Sequence, residues 1–198
     1  MTPVLYSEKV RQALRFAVAA HAFQVRKGSK PATPYVTHPI SVAQILAAAG
    51  ADEDLICAGY LHDTLEDTDR TRQQLVDAFG ERVAALVDAV SETKRHPDGT
   101  KIPWADRKQT ALEHLRATTD AGVVALKAAD VLANVTDILI DHAAVGDVFW
   151  ASFKAGHVDQ VNVYCSVIDE AAPRVELPLL QAELLLVRKR IAALAPPA

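Results

Sequence analysis

Apolar positions recur at helical spacing along most of this chain, and strand-like alternation is absent. A first helix is predicted from Ser7, a side-chain cap with Glu8 in the first turn, to Val25. The stretch RKGSKPATPYVTHP then reads as a loop, marked by Gly28, Pro31 and Pro34. Pro39 suits the first turn of a second helix that runs to about Ala49, with Gly50 past its end. Asp54 to Asp67 is predicted as the third helix, Thr71 to Phe79 as a short one stopped by Gly80, and Glu81 to Ser91 as the next. A polar, positively charged loop, ETKRHPDGTKIP, precedes an amphipathic helix from Trp104 to Thr118. Gly122 to His142 is nearly all apolar, which predicts a central helix. Phe149 to Ala171 reads as one or two helices with a break at Gly156, and Glu176 to Leu194 closes the chain. The expected fold is all-α, an irregular bundle of about eight to ten helices. Residues 1–198 read as a single domain, with the helices of 146–194 completing the bundle.

Composition narrows the class. The chain has 198 residues, half of them hydrophobic, and only 8 glycines. That length suits one domain with a substantial core. The net charge of −4 gives no reason to expect nucleic acid as the main partner. A small anionic ligand stays compatible where positive charge is local. Cys57 and Cys165 are far apart and form no CxxC pair, which suits reduced thiols. The N-terminus lacks the pattern of a signal peptide, and no apolar run reaches the roughly 18 residues of a membrane span. The expectation is a soluble, cytoplasmic protein with no membrane partner. A homo-oligomer built on the apolar C-terminal helix stays open.

One stretch breaks the apolar pattern abruptly. LHDTLEDTD follows the run LICAGYL and holds His62, Asp63, Glu66, Asp67 and Asp69. On one helix His62 and Glu66 stand four apart, as do Asp63 and Asp67, so these four are predicted to share a side. Carboxylates gathered this way repel one another and lose hydration unless a cation offsets them. Imidazole with carboxylate suits Mn, Fe, Zn or a similar divalent ion. The alternative is a solvated helix end with a half-buried His62. Two other segments bear on the choice. His38 opens a helix just before Pro39, where it is a ligand candidate or a capping histidine. In ALKAADVLANVTDILI the polar exceptions Lys127, Asp130, Asn134 and Asp137 form one stripe. Asp130 is either the partner of Lys127 in a buried salt bridge or a fourth ligand beside His38, His62 and Asp63.

The order H…HD…D resembles the HD-type metal-dependent phosphohydrolases. More narrowly, RKGSKPATPYVTHPISVAQIL, AGYLHDTLEDTD and ALKAADVLANVTDI resemble the hydrolase domain of the RelA/SpoT alarmone enzymes, over about residues 10 to 141. The stand-alone small alarmone hydrolases are similar in length. The resemblance implies Mn²⁺ and removal of the 3′-pyrophosphate from ppGpp or pppGpp, which leaves GDP or GTP. It implies His38, His62, Asp63 and Asp130 as metal ligands, and Glu66 and Asp67 as the acidic pair that orients and deprotonates the attacking water. It sets Arg26 and Lys27 against the base and its phosphates, and Asn134 against the ribose. Cations at Lys94, Arg95, Lys101, Arg107 and Lys108 are available to stabilise charge on the pyrophosphate, or they are a solvated basic loop. Lys154, His157 and Tyr164 are further candidates for the phosphates.

The third segment departs from the family's ADRLHN: here it reads ADVLAN, with Val131 and Ala133 at the changed positions. That keeps open a different HD phosphohydrolase, acting on an adenosine alarmone, a nucleotide monophosphate or NADPH. An inactive alarmone-binding protein is the remaining alternative.

Overall fold

The computed structural model describes residues 7–26, 33–153 and 155–195. Among these the chain is all-α: helices, two short 3-10 segments and only isolated β-bridges. The helices are α1 (Glu8–Ala20), α2 (Thr37–Ala48), α3 (Glu53–Leu61), α4 (Thr64–Asp67), α5 (Arg72–Phe79), α6 (Glu81–Val90), α7 (Trp104–Ala117), α8 (Ala121–Val145), α9 (His157–Ala171) and α10 (Pro178–Ala192). No helix among the described residues is long and apolar enough to cross a membrane. Both cysteines are free.

α8 is the axis of the bundle. Its 25 residues span about 37 Å at the α-helical rise. It packs against α2, α6, α9 and α10, and Leu126, Ala128, Ala129 and Val135 along it are fully buried. Its N-terminus is capped by Asp120, which accepts from the Gly122 and Val123 amides and is itself fixed by Arg82 at 2.5 Å. Val131 and Ala133 are each 3% exposed and belong to the hydrophobic core. The departure from ADRLHN is thus a change in core packing.

Local chemistry explains several helix ends. Ser7 Oγ accepts from the Val10 amide at 3.1 Å. Thr71 and Gln74 form a reciprocal capping box at the start of α5. Gly80 takes φ 86° between α5 and α6, a conformation that a β-carbon would strain.

Two departures from the sequence expectation have identifiable causes, the first tertiary and the second local. α1 stops at Ala20 instead of Val25. Beyond it, Val25 forms an antiparallel bridge with Pro34, the Arg26 amide donates to Thr33 O at 2.9 Å and the Tyr35 amide to Gln24 O at 2.8 Å. Pairing with the 33–35 strand-like segment replaces a further turn of helix.

The predicted Asp54–Asp67 helix is divided at His62 and Asp63 into α3 and α4. His62 Nδ1 donates to Gly59 O at 2.9 Å, and Thr64 Oγ1 donates to Leu61 O at 2.6 Å. Both side chains engage carbonyls at the end of α3 and turn the chain. The four ionisable residues therefore do not lie on one continuous helix face. α3 meets α2 closely at Gly59, where an added Cβ would stand 2.9 Å from Leu46 Cδ1 and 3.0 Å from Ala43 Cα.

Candidate metal centre

Three elements converge at the α3–α4 turn. His38 comes from the first turn of α2, His62 and Asp63 from the turn itself, and Asp130 from the middle of α8. His62 Nε2 lies 3.2 Å from His38 Nε2 and 3.2 Å from Asp63 Oδ2. His38 Nε2 lies 3.2 Å from Asp130 Oδ1 and 3.7 Å from Asp63 Oδ2. Both histidines are buried, at 3% and 4% exposure.

The donor set fits a divalent cation. A carbonyl only accepts, so His62 must donate from Nδ1 to Gly59, which leaves Nε2 facing the cluster. The ligating atoms of His38, His62 and Asp130 all fall within 4.8 Å of one another, and Asp63 joins them from the side, where Tyr35 Oη donates to its Oδ2 at 2.6 Å. Two imidazoles and two carboxylates suit a borderline transition metal.

The protonation pattern agrees. Burial opposes charge on His62, yet the Asp63 and Asp130 carboxylates outweigh it and lift the imidazole to about 9. Burial would raise Asp130, but Lys127 and the two histidines hold it well below the ordinary carboxylate range. A cation at this point would compete with the His62 proton, because metal ligands must be deprotonated.

The remaining residues of the α8 stripe brace this cluster. Lys127 Nζ lies 2.9 Å from Asp130 Oδ2, and Asn134 Nδ2 donates to Asp130 Oδ1 at 2.7 Å. The salt-bridge reading of Lys127 and the presence of Asp130 in the cluster thus hold together: one carboxylate faces both ways. Asn134 approaches the site by holding Asp130. Arg26 Nη2 donates to Asp137 Oδ2 at 2.5 Å, which ties the 21–26 segment to α8. Lys27 and Lys154 lie outside the described residues.

Glu66 and Asp67 sit on α4, beside the cluster. Tyr35 Oη is 3.3 Å from Asp67 Oδ2. Lys94 Nζ lies 3.0 Å from Glu66 Oε1 and also contacts Asp67. The Glu92 amide donates to Glu66 Oε2 at 3.0 Å. Burial, then the nearby Glu92 charge, raises the Glu66 pKa, and Lys94 only partly opposes them. Of the cations in the 94–108 stretch, Lys94 touches the acidic pair, while Arg107 and Lys108 clamp Glu92 at 2.9 and 2.6 Å. Arg95 turns back to Gly99 O. A cavity of about 100 Å³ opens behind the clamp, lined in part by Glu92, Arg107, His114 and Lys127.

Tyr35 and Glu92 were not singled out by sequence reasoning. Tyr35 stands inside PYVTHP, three residues before His38, and its position in that motif was the available signal. Glu92 was visible only as a lone acid leading a basic stretch, SETKRH. Tyr164 is half-buried against the core, and its phenol is pushed up to about 12 by desolvation and then by Asp130, while Arg26 and Lys127 oppose. It is therefore close to the same charges. His157 stacks on Trp150, with ring centroids 4.0 Å apart.

The pattern of the HD domain matches residues 13–147. A guanosine-3′,5′-bis(diphosphate) 3′-pyrophosphohydrolase of Aquifex aeolicus is 38% identical over 68% of this chain, and the chain spans only 18% of that longer relative. The enzyme of the same name from Danio rerio, MESH1, is 36% identical over 64% of this chain and 67% of its own length. A solved structure described as a metazoan ortholog of SpoT that hydrolyzes ppGpp superimposes with a TM-score of 0.77 at 25% identity, covering 94% of this chain and 97% of that one. A structure from Listeria monocytogenes EGD-e gives 0.68 at 30% identity, with 78% and 99% covered. On the matched pattern and these relatives, the chain belongs to the HD-domain family, in the group that includes the Danio rerio protein.

Proposed function

We propose that this protein hydrolyses the 3′-pyrophosphate of guanosine alarmones, turning ppGpp or pppGpp into GDP or GTP plus pyrophosphate, with Mn²⁺ as its metal. The observation that carries this reading is the meeting of His38, His62, Asp63 and Asp130 at 3.2–3.8 Å beside the Glu66–Asp67 pair. The 3′-pyrophosphohydrolase relatives and the ppGpp-hydrolysing structural neighbour supply the substrate class.

In this reading His38, His62, Asp63 and Asp130 hold the metal. A divalent ion there lowers the pKa of water and polarises a phosphoryl oxygen. The chain's own groups do the rest. Glu66, raised above the ordinary carboxylate range, takes a proton from the attacking water, since a base with a pKa nearer the working pH is the more effective one. Asp67 orients that water. Attack at the phosphorus bonded to the ribose O3′ breaks the P–O3′ bond, and the proton held at Glu66 is then available to O3′. Lys94 exchanges its carboxylate contacts for an oxygen of the pyrophosphate, and Arg107 and Lys108 stand one contact away on Glu92. Arg26 and Lys27 receive the nucleotide, and Asn134 turns from Asp130 toward the ribose.

The test is turnover of ppGpp by metal-stripped protein with and without Mn²⁺, extended to adenosine alarmones, nucleotide monophosphates and NADPH. GDP formed only with Mn²⁺ supports the reading. Mn²⁺-dependent turnover of another nucleotide with ppGpp intact would replace the substrate, and keep the metal centre.

A further inference from the structure

Behind the acidic pair lies a second polar arrangement that the chemistry above leaves unused. Its centre is Gln24, in the segment after α1. Gln24 Nε2 donates to the main-chain carbonyl of Asp67 at 2.7 Å, across 43 residues of sequence. Gln24 Oε1 lies 2.8 Å from His21 Nδ1. Gln24 O accepts from the Tyr35 amide at 2.8 Å. The Tyr35 ring packs on the His21 ring, with centroids 5.1 Å apart, and its hydroxyl reaches Asp63 and Asp67.

These contacts assign one another. The Asp67 carbonyl can only accept, so the amide nitrogen of Gln24 must face it. The Gln24 oxygen then faces His21, and Nδ1 is the ring nitrogen that carries a proton and donates. His21 is 1% exposed, so its ring is held by its surroundings. Asp67 ends a helix of four residues, whose last carbonyls have no partner within the helix. α4 is too short to fix its own orientation through helical hydrogen bonds, so donors from outside hold it: the Glu92 amide and Lys94 engage its side chains, and Gln24 engages its backbone.

We infer that His21 and Gln24 are positioning residues, which hold the Asp67 backbone and, through Tyr35, its carboxylate in place, so that the acidic pair keeps a fixed distance from the metal cluster. The inference rests on the reading of Glu66 and Asp67 as the pair that handles the attacking water. It predicts that small displacements of α4 slow turnover without loss of metal.

Gln24→Glu is the sharpest probe. It keeps the size and the acceptor toward His21, and sets a carboxylate oxygen against the Asp67 carbonyl. The kcat of the Mn²⁺-loaded protein for ppGpp should fall about tenfold or more, the scale set by misplacing a reacting group by under 1 Å. KM and bound metal per chain should stay within about twofold of wild type. Amide hydrogen exchange of a peptide spanning 62–70 should quicken, while exchange in α8 stays unchanged. His21→Leu should behave likewise, and His21→Asn, whose amide nitrogen can stand at the Nδ1 position, should restore most of the loss. Unchanged exchange over 62–70 in Gln24→Glu would overturn the inference, whatever the substrate is. So would an unchanged kcat, or a fall in kcat matched by loss of metal. If wild type fails to turn over ppGpp, the substrate reading falls, and the exchange comparison still decides the role of Gln24 and His21.

Discussion

Lys127→Met removes one charge from a pair set inside the bundle and keeps the apolar stem. Lys127 Nζ lies 2.9 Å from Asp130 Oδ2, with side-chain exposures of 19% and 14%. Removing one partner of such a pair strands the other charge, at a cost of about 3–5 kcal/mol. On its other oxygen Asp130 keeps Asn134 Nδ2 at 2.7 Å and His38 Nε2 at 3.2 Å, so the expected loss lies at the lower end, about 3 kcal/mol. Methionine preserves most of the stem's packing. Urea unfolding followed by circular dichroism, in chelator, reads the effect directly. With a slope of about 2 kcal/mol per M, the midpoint should drop by about 1.5 M. Asp130, held low, contributes stability above its unfolded pKa and loses it as pH falls through the folded value. Lys127 is lifted above the ordinary lysine range, burial notwithstanding, by Asp130 and Glu92. It contributes below its unfolded pKa and loses that as pH rises through the folded value. The loss should therefore be level from about pH 5 to about pH 8, below the value of about 9 at which His62, another cation facing Asp130, loses its proton. Excess Mn²⁺ should recover part of it, because a dication beside Asp130 offsets the stranded charge. A midpoint shift under about 0.3 M, or additivity with Asp130→Asn in a double-mutant cycle, would show that the two groups are not coupled.

Asp63→Ala should lose bound metal and turnover while keeping the helical dichroism of wild type; normal activity in that variant would remove Asp63 from the centre. Glu66→Gln should retain metal and slow the chemical step by about 100-fold or more. The wild-type rate should also fall as pH drops through a value above the ordinary glutamate range, since the working form of Glu66 is deprotonated, and Glu66→Gln should lack that limb in single-turnover measurements. Gly59→Ala drives a Cβ to 2.9 Å from Leu46 Cδ1 and 3.0 Å from Ala43 Cα, so overpacking of about 1–3 kcal/mol should outweigh the gain of about 1 kcal/mol in helix propensity. Thermal unfolding checks the sign, and a variant more stable than wild type would show that α2 and α3 separate freely.

Elements bounded by local chemistry were readable from the sequence. Ser7, Thr71 and Gly80 mark helix ends through their own side chains or backbone freedom, and the structure has helix boundaries beside each. The all-α class and the central place of α8 followed from apolar periodicity. What escaped depends either on contacts distant in sequence or on local side-chain bonds to the backbone that apolar spacing does not show. α1 ends early because Val25 meets Pro34. The α3–α4 turn arises where His62 and Thr64 engage carbonyls that a helix would otherwise use. Spacing brought His62, Asp63, Glu66 and Asp67 to notice, yet assumed the wrong geometry for them. Arg26 reaches Asp137 across 111 residues, which no local pattern announces. Lys94 read more readily as a solvated loop lysine than as a phosphate contact, and it rests on Glu66 and Asp67.

The first experiment is therefore a separation of nucleotides. Metal-stripped protein is incubated with ppGpp, with and without Mn²⁺, and the products are resolved by ion exchange. GDP and pyrophosphate appearing only with Mn²⁺ are the predicted outcome. Intact ppGpp in the presence of protein shown to have bound Mn²⁺ would contradict the assignment of this site as an alarmone 3′-pyrophosphohydrolase.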